Sequence, residues 1–224
     1  MNKNNFSIIN FLKIYSEDKL ALFFLINLII ILGLVIFGPL ITLQNPYDLS
    51  QLNILDSLLP PLSEAYENNY FLLGTDDQGR DLLSAIIYGL RISLYVGILS
   101  VIISLIVGII LGVVSAYFGG FVDNFIMRVA DMVLAMPSFL IALVLLSILG
   151  RGLENVVFAL VMSQWATFAR VIRSSALSEK EKDYFYSARC LCLPQSRIIF
   201  GHLLPNCLPP IIVLSTINLA FAIT

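Results

Sequence analysis

Ile92-Ser-Leu-Tyr-Val-Gly-Ile-Leu-Ser-Val-Ile-Ile-Ser-Leu-Ile-Val-Gly-Ile-Ile-Leu-Gly-Val-Val-Ser-Ala-Tyr-Phe-Gly-Gly-Phe-Val122 runs for 31 residues without a charged side chain. About 20 such residues, wound as a helix, cross a hydrocarbon core of about 30 Å. The stretch is longer than a crossing needs, so its ends are expected in the interfaces. The same reading marks Leu20–Leu43, Met132–Gly150, Asn155–Ala169 and Leu203–Thr224. Asn155–Ala169 has only 15 residues and reaches spanning length if Arg170 and Arg173 snorkel from its end. The expectation is an all-α integral membrane protein with about five transmembrane helices.

Composition agrees. Charged residues are 12 % of the 224, hydrophobic residues 58 %, and the mean hydropathy is +0.91. An ordinary soluble domain carries about twice that charge. The first apolar run begins only at Leu20 and is too long for a cleavable signal core. A net charge of −2 provides no field to attract nucleic acid. Cys190, Cys192 and Cys207 fall near one membrane face and read as free thiols in a reducing compartment.

With the N-terminus inside, ten of the 13 basic residues face the cytoplasm, and only Arg80, Arg91 and Arg151 face out. That distribution obeys the positive-inside rule; the reverse orientation violates it. The expected order is a cytoplasmic segment over 1–19, a first helix over 20–43, an acidic extracytoplasmic loop over 44–90 and a membrane core over 91–224. The outer loop holds seven carboxylates, and Pro46, Pro60 and Pro61 break any long helix in it. The plasma (bacterial inner) membrane is the expected location.

No glycine is followed by lysine, so the chain has no phosphate-binding loop of the G-x-x-x-x-G-K type. The span interiors lack the carboxylates and histidines that ion-coupled carriers place there. Active transport would therefore draw its energy from another subunit. Catalysis lacks a nucleophile, base and acid set; His202 beside Cys207 reads as a polar interfacial residue next to a buried thiol. Cys190 and Cys192 alone fall short of a four-ligand zinc site. No cofactor or metal is expected, and the chain is not read as an enzyme. Gly108-x-x-x-Gly112 reads as a close helix contact within the chain. Gly38-Pro39 and Pro137 are expected helix kinks that fit the chain's shape. Gln164 and Asn218 are polar within spans; either they line a path or they make interhelical hydrogen bonds.

The inner loop, about 179–206, carries most information. After a solvated charge cluster at Glu179 to Asp183, Tyr184, Phe185, Ala188 and Leu191 recur at helical spacing with Arg189 among them. Pro194 separates this short helix from a second one through Arg197, Ile198, Ile199 and Phe200, which is expected to stop before Pro205. Composition leaves two uses open: docking into a groove on another protein, or lying on the membrane surface.

These residues, Asp183-Tyr184 through Ser187-Ala188-Arg189, then Arg197-Ile198-Ile199-Phe200 and His202-Leu203-Leu204-Pro205-Asn206, resemble the EAA loop of binding-protein-dependent ABC-transporter permeases. Phe71 through Asp81, with Gly74, Thr75, Asp76, Gly79, Arg80 and Asp81, is similar to the outer-loop signature of the C-type subunits of the dipeptide/oligopeptide/nickel subfamily. Arg128 through Pro137, Trp165, Phe168-Ala169-Arg170 and Val171-Ile172-Arg173 extend the likeness over essentially the whole chain.

The resemblance implies a type I ABC importer permease fold. It implies a second permease subunit, two ATP-binding subunits and an extracytoplasmic substrate-binding protein as partners, with the lipid bilayer around them. It places the ATPase-coupling helix in the inner loop, through Tyr184, Tyr186, Ser187, Ala188, Arg189, Leu191, Cys192, Arg197 and Pro205. Tyr186, Ala188 and Leu191 are expected to contribute apolar contact to the ATPase, with Arg189 at the rim. Peptides, or nickel chelates, are the implied substrates. Tyr186 and Ser187 stand where the family has glutamate and its first alanine, and Cys192 stands where it has the loop glycine. That glycine is read as serving the turn between the two short helices, where a side chain would crowd or would need φ > 0. Family members continue into a sixth span, so the chain reads as C-terminally truncated. The alternative function is a non-transporting membrane protein that retains partner binding.

Overall fold

A computed structural model of the protein describes residues 17–64, 66 and 70–223. Residues 1–16, most of the segment expected in the cytoplasm, lie outside the described residues. Two units are described in turn, Met1–Ile92 and Ser93–Thr224.

In the first unit, helix α1 covers Lys19–Ile41. It begins where the Asp18 carboxylate accepts hydrogen bonds from the Leu20 N–H at 2.9 Å and the Ala21 N–H at 3.3 Å, satisfying two of the donors a helix start leaves open. Leu, Ile and Phe side chains are exposed along its length, as expected of a helix surrounded by lipid. Its buried residue is Gly38, where a Cβ would stand 2.2 Å from Ile87 Cγ2. Two 3-10 turns, Leu49–Gln51 and Ile54–Asp56, follow. An antiparallel pair of short strands, β1 (Ser63–Glu64) and β2 (Tyr70–Phe71), then sets Ser63 opposite Phe71.

Helix α2, Leu82–Phe118, has 37 residues and begins well ahead of the charge-free stretch at Ile92. Its start is set by Asp81, whose carboxylate accepts from the Ser84 N–H at 2.9 Å and the Leu83 N–H at 3.3 Å. A cap can thus start a helix in residues whose charge left them in the loop as read. At the other end, Gly119 and Gly120 take φ of +63° and +55°. This backbone favours glycine, and it ends α2 before the charge-free stretch does.

In the second unit the chain continues as α3 (Gly120–Leu134), α4 (Ser138–Leu149), α5 (Leu153–Lys180) and α6 (Asp183–Cys190). Then come α7 (Gln195–Ile198), a π turn (Ile199–Leu203) and α8 (Leu204–Ile223). One expectation is met in kind and one is corrected. The kink expected at Pro137 in Met132–Gly150 is present as an 88° bend between α3 and α4. The 12 residues of α4 rise only about 18 Å, short of a crossing. The second short helix does not stop before Pro205. It runs through the π turn into α8, giving one span-length helix over Gln195–Ile223. The Leu204 N–H bonds the Ile199 carbonyl across this wide turn, one residue before the proline. The widening takes up the ring and the missing donor that would break an ordinary helix. Among the described residues four helices have the length and apolarity to cross a membrane, or five if the bent pair counts as one span.

Helix α5 is the core of this unit. Phe168, Ala169, Ile172 and Ala176 are fully buried and lie on one face of the helix. Its two arginines do not snorkel as expected. Arg173 reaches the Asp123 carboxylate on α3 with two bonds of 2.5 and 2.6 Å, and Arg170 pairs with Asp131 on the same helix. Lys180 donates to the Ala116 carbonyl at 2.6 Å. The Arg173–Asp123 pair is largely enclosed, with side chains 31 % and 15 % exposed, whereas Arg170 and Asp131 stand 51 % and 64 % exposed. Asp123→Ala strands a half-buried guanidinium, so its expected cost is about 2 kcal/mol; Asp131→Ala should cost about 0.5 kcal/mol. Thermal unfolding of the two variants in detergent checks the order.

Candidate functional site

The inner loop is held from three sides. Phe185 and Ala188 on α6 are buried among Ile172, Ala176, Ile198 and Leu203. Glu179, at the end of α5, accepts from Lys182 Nζ at 2.6 Å and from the Tyr184 hydroxyl at 2.7 Å. Asn206, at the start of α8, donates its Nδ2 to the Tyr184 hydroxyl at 3.2 Å and to the His202 carbonyl at 2.7 Å. Burial, together with the hydrogen bond to Glu179, holds the Tyr184 phenol above its ordinary pKa, so it stays a donor. Glu179 was expected in a solvated cluster. It is buried instead, and it ties α5 to α6.

The candidate coupling residues divide by face. Tyr186, Ser187, Arg189, Leu191, Cys192, Arg197 and Pro205 are exposed, while Tyr184 is half-buried. Tyr186 and Leu191 are 54 % and 73 % exposed, large apolar surfaces with no cover from the chain. Ala188 is a correction. It is 4 % exposed and packs against the protein's own core, so it offers no surface to a partner. Helical spacing puts 185 and 188 on one face and 186, 189 and 190 on the other. The Arg189 guanidinium lies 5.5 Å from the centroid of the Phe185 ring and covers it.

The turn after α6 is closed by two bonds. The Leu193 N–H reaches the Ala188 carbonyl at 3.4 Å, and the Cys192 N–H reaches the Arg189 carbonyl at 2.9 Å. This pattern is a Schellman motif, and its left-handed position is Cys192, with φ +52°. Of the two readings of this position, crowding or a positive φ, the structure has the positive φ, borne by a residue with a Cβ at a cost of about 1 kcal/mol.

The outer-loop residues form a closed turn. The Thr75 hydroxyl donates to the Asp56 carbonyl at 2.5 Å and accepts from the Leu59 N–H at 2.9 Å. Asp76 accepts from the N–H groups of Gln78 and Arg80, each at 2.9 Å, and from Arg80 Nε at 2.6 Å. Burial pushes the Asp76 carboxyl up, but these donors outweigh it and hold the group below its ordinary pKa. Gly74 and Gly79 have φ of +79° and +76°, and a Cβ on either would stand within 2.3 Å of a carbonyl oxygen, Leu59 or Asn53. Asp81 caps α2, as above. The signature's hydrogen bonds therefore serve the shape of the loop.

Within the second unit a cavity of about 670 Å³ opens where α3 bends into α4 against α5 and α8. Gln164 and Asn218 both line it. No cluster of three or more His, Cys, Asp or Glu able to hold a metal occurs among the described residues. Sequence reasoning missed Asp123, Glu179, Lys182 and Asn206 as anchors, because a charged or amide side chain near a span end reads as solvated until its partner is seen.

The family profile described as "Binding-protein-dependent transport system inner membrane component" matches residues 105–224, and the profile "N-terminal TM domain of oligopeptide transport permease C" matches residues 10–61. The chain belongs to this family of ABC importer permeases: it is a multi-pass inner-membrane subunit and not an enzyme. Among its relatives, the dipeptide transport system permease protein of Haemophilus influenzae is 38 % identical over 209 residues, covering 93 % of this chain and 70 % of the relative. That of Escherichia coli is 41 % identical over 210 residues, covering 93 % and 69 %. The oligopeptide transport system permease protein of Bacillus subtilis is 32 % identical over 209 residues, covering 93 % and 66 %. The chain thus spans about two thirds of the length of these relatives.

Two outcomes follow from the geometry. Cys192→Gly removes the Cβ strain and should raise stability by about 0.5–1 kcal/mol, with a higher unfolding temperature in detergent. Asp76, with its pKa depressed in the fold, contributes stability fully present above its unfolded value near 3.8 and lost as pH falls through the lower folded value. Proteolysis of the outer loop should therefore quicken on acidification below about pH 4, and Asp76→Asn should cleave faster at neutral pH with a flatter pH profile.

Proposed function

We propose that the chain is the transmembrane subunit of an ATP-driven peptide importer and that its inner loop receives the stroke of a separate ATPase. The observation that carries this is α6. One face is locked into the core, the other is bare, with Tyr186 exposed on it and Leu191 exposed just past its end, and hydrogen bonds tie the helix to both α5 and α8. A surface tied in this way passes a push into two membrane helices, where a loosely attached amphipathic helix would absorb it. Tyr186 and Leu191 supply the central contact, and Arg189 and Arg197 supply the rim.

The remaining assignments follow the family. A second permease subunit, two ATP-binding subunits and an extracytoplasmic binding protein complete the importer. The N-terminus lies in the cytoplasm, as the distribution of basic residues favours. Dipeptides and oligopeptides are the substrates named for the relatives, and we carry them over to this chain ahead of nickel chelates. The Gly74–Asp81 turn stands at the outer mouth and gives the binding protein a shaped surface.

Two measurements test this. With Cys190 and Cys192 replaced by Ser, an impermeant thiol reagent applied from outside should label Glu64→Cys and spare Ser178→Cys. The opposite pattern removes both the orientation and the ATPase contact. In pull-downs from detergent, Tyr186→Asp with Leu191→Asp should lower recovery of the ATPase at least tenfold, about 1.4 kcal/mol, at unchanged membrane insertion. Arg189→Ala should lower it by less. Wild-type recovery with the double variant excludes this loop as the docking surface. Full recovery without peptide uptake by the parent chain favours a protein that binds partners and does not transport.

A further inference from the structure

We infer that residues 42–62 anchor the chain in the membrane interface. They lie in the boundary between headgroups and acyl chains of the leaflet at the C-terminal end of α1, and Leu49, Ile54, Leu55, Leu58 and Leu62 are the inserted side chains. The partner is phospholipid. The inference holds for either orientation of the chain and does not draw on the importer reading.

The first observation is that the exposed surface does not turn polar where the span ends. From Leu40 to Leu49 the exposed residues are Leu40, Ile41, Leu43, Tyr47 and Leu49. They continue the apolar surface that α1 shows to lipid. Leu49 and Ile54 are 81 % and 80 % exposed, and Leu58 and Leu62 are 74 % and 73 % exposed. No charged side chain is exposed between 42 and 62. Asp48 is half-buried and caps the 3-10 turn at Leu49, and Asp56 is buried and accepts from the Tyr66 N–H at 2.8 Å. Among the described residues the exposed carboxylates of this loop come later, at Glu64 and Asp77. An exposed apolar surface of this extent marks a contact with membrane or protein, and its continuity with a span favours the membrane.

The second observation is depth. A Cβ on Gly38 would stand 2.2 Å from Ile87 Cγ2, and the Tyr47 ring meets that of Tyr88 edge to face at 6.2 Å. Ile87 and Tyr88 are neighbours on α2, so Tyr47, six residues past the end of α1, stands near the level of Gly38, inside that end. The chain doubles back along α2 instead of rising into water. Tyrosine is the residue of this depth, with its ring toward the acyl chains and its hydroxyl toward the headgroups. The third observation is that the segment asks little of water. The N–H groups of Ser50, Gln51, Leu62 and residues 55–59 donate within the chain, and Pro60 and Pro61 have none to satisfy. Backbone must be satisfied in this way where water is scarce. Finally, Leu58 and Leu62 take φ of +58° and +62°, a backbone at ease for glycine and strained for leucine. Strain held at two leucines that the chain leaves exposed points to a contact outside the chain.

The test uses lipid nanodiscs holding the full chain together with the subunits that co-purify with it. Cys190 and Cys192 are replaced by Ser, and a bimane label is placed in turn on Leu49→Cys, Leu55→Cys and, as the reference in water, Asp77→Cys. Quenching is measured with phosphatidylcholine brominated near the ester end of its acyl chains, and separately with iodide in the water. The ratio of bromolipid to iodide quenching at Leu49→Cys and Leu55→Cys should exceed that at Asp77→Cys about tenfold. Replacing both strained leucines, Leu58→Gly with Leu62→Gly, relieves the backbone and removes two inserted side chains. In the Leu55→Cys chain it should lower bromolipid quenching about twofold or more. A ratio at Leu49→Cys and Leu55→Cys equal to that at Asp77→Cys places the segment in water and overturns the anchor. Weak quenching by both agents overturns it as well, and means that a partner protein covers the patch. Bromolipid quenching unchanged by the double glycine variant removes Leu58 and Leu62 from the anchor.

Discussion

Two glycines let α2 touch the backbone of α5. A Cβ on Gly108 would stand 2.4 Å from Phe168 Cβ, and one on Gly112 would stand 2.7 Å from the Ala169 carbonyl oxygen. Lipid is as apolar as leucine, so no hydrophobic force draws membrane helices together; close packing at small residues does. That contact fixes the depth and rotation of α5, and the other features of the second unit follow from it. Arg173 and Arg170 come level with Asp123 and Asp131, Gln164 comes to the cavity, and Glu179 comes to the foot of α6.

The same helix therefore carries a group at each of two places. Gln164 and Glu179 are fifteen positions apart on α5, about 22 Å of unbroken helix. A displacement of α6 through Tyr184 and Glu179 moves α5 as a rod, because backbone hydrogen bonds make a helix stiff along its axis. The bidentate Arg173–Asp123 pair sits between the two groups and carries α3 along. If the inner loop receives an ATPase's stroke, as proposed, the stroke must travel through elements that have two arrangements and resist intermediate ones. Here the rod is α5, and the place where arrangements can differ is the break at Pro137, where no helical hydrogen bonds hold α3 to α4 in line.

What could be read in the sequence followed from chemistry that acts residue by residue. The absence of charge from 92 to 122 announces a membrane helix wherever its partners lie, and Gly108-x-x-x-Gly112 announces close approach whatever helix approaches. The turn at Cys192 was pointed to by the resemblance, which puts a glycine there, and not by the residue itself. What escaped depends on neighbours distant in the chain. Glu179 reads as solvent-facing until Lys182 and Tyr184 close over it. Ala188 reads as available surface until Ile172 and Leu203 are packed against its helix. Pro205 reads as a stop, because the sequence does not display the π turn that accommodates it. Pro137 was read as a kink within one span; the size of the bend, 88°, is not written in the proline itself.

The replaced loop residues fall into two physical classes, and this separates inheritance of the fold from inheritance of the contact. Cys192 acts within the chain. Its φ is imposed by the two bonds that close the turn, so a side chain there is borne as strain and leaves the exposed face as it was. Tyr186 and Ser187 act outward. The chain does not bury either of them, so exchanging a carboxylate for a phenol at 186 costs the fold almost nothing. That change is felt only by whatever touches the loop. A groove shaped for a carboxylate would be left with an unpaired cation against a neutral ring, at the price of a desolvated charge. A groove that fits this chain must therefore meet position 186 with apolar or hydrogen-bonding surface. On the proposed docking reading Tyr186 is the exposed group a partner would meet, while Phe185, Ala188 and the Glu179–Tyr184–Asn206 tie hold the helix that presents it.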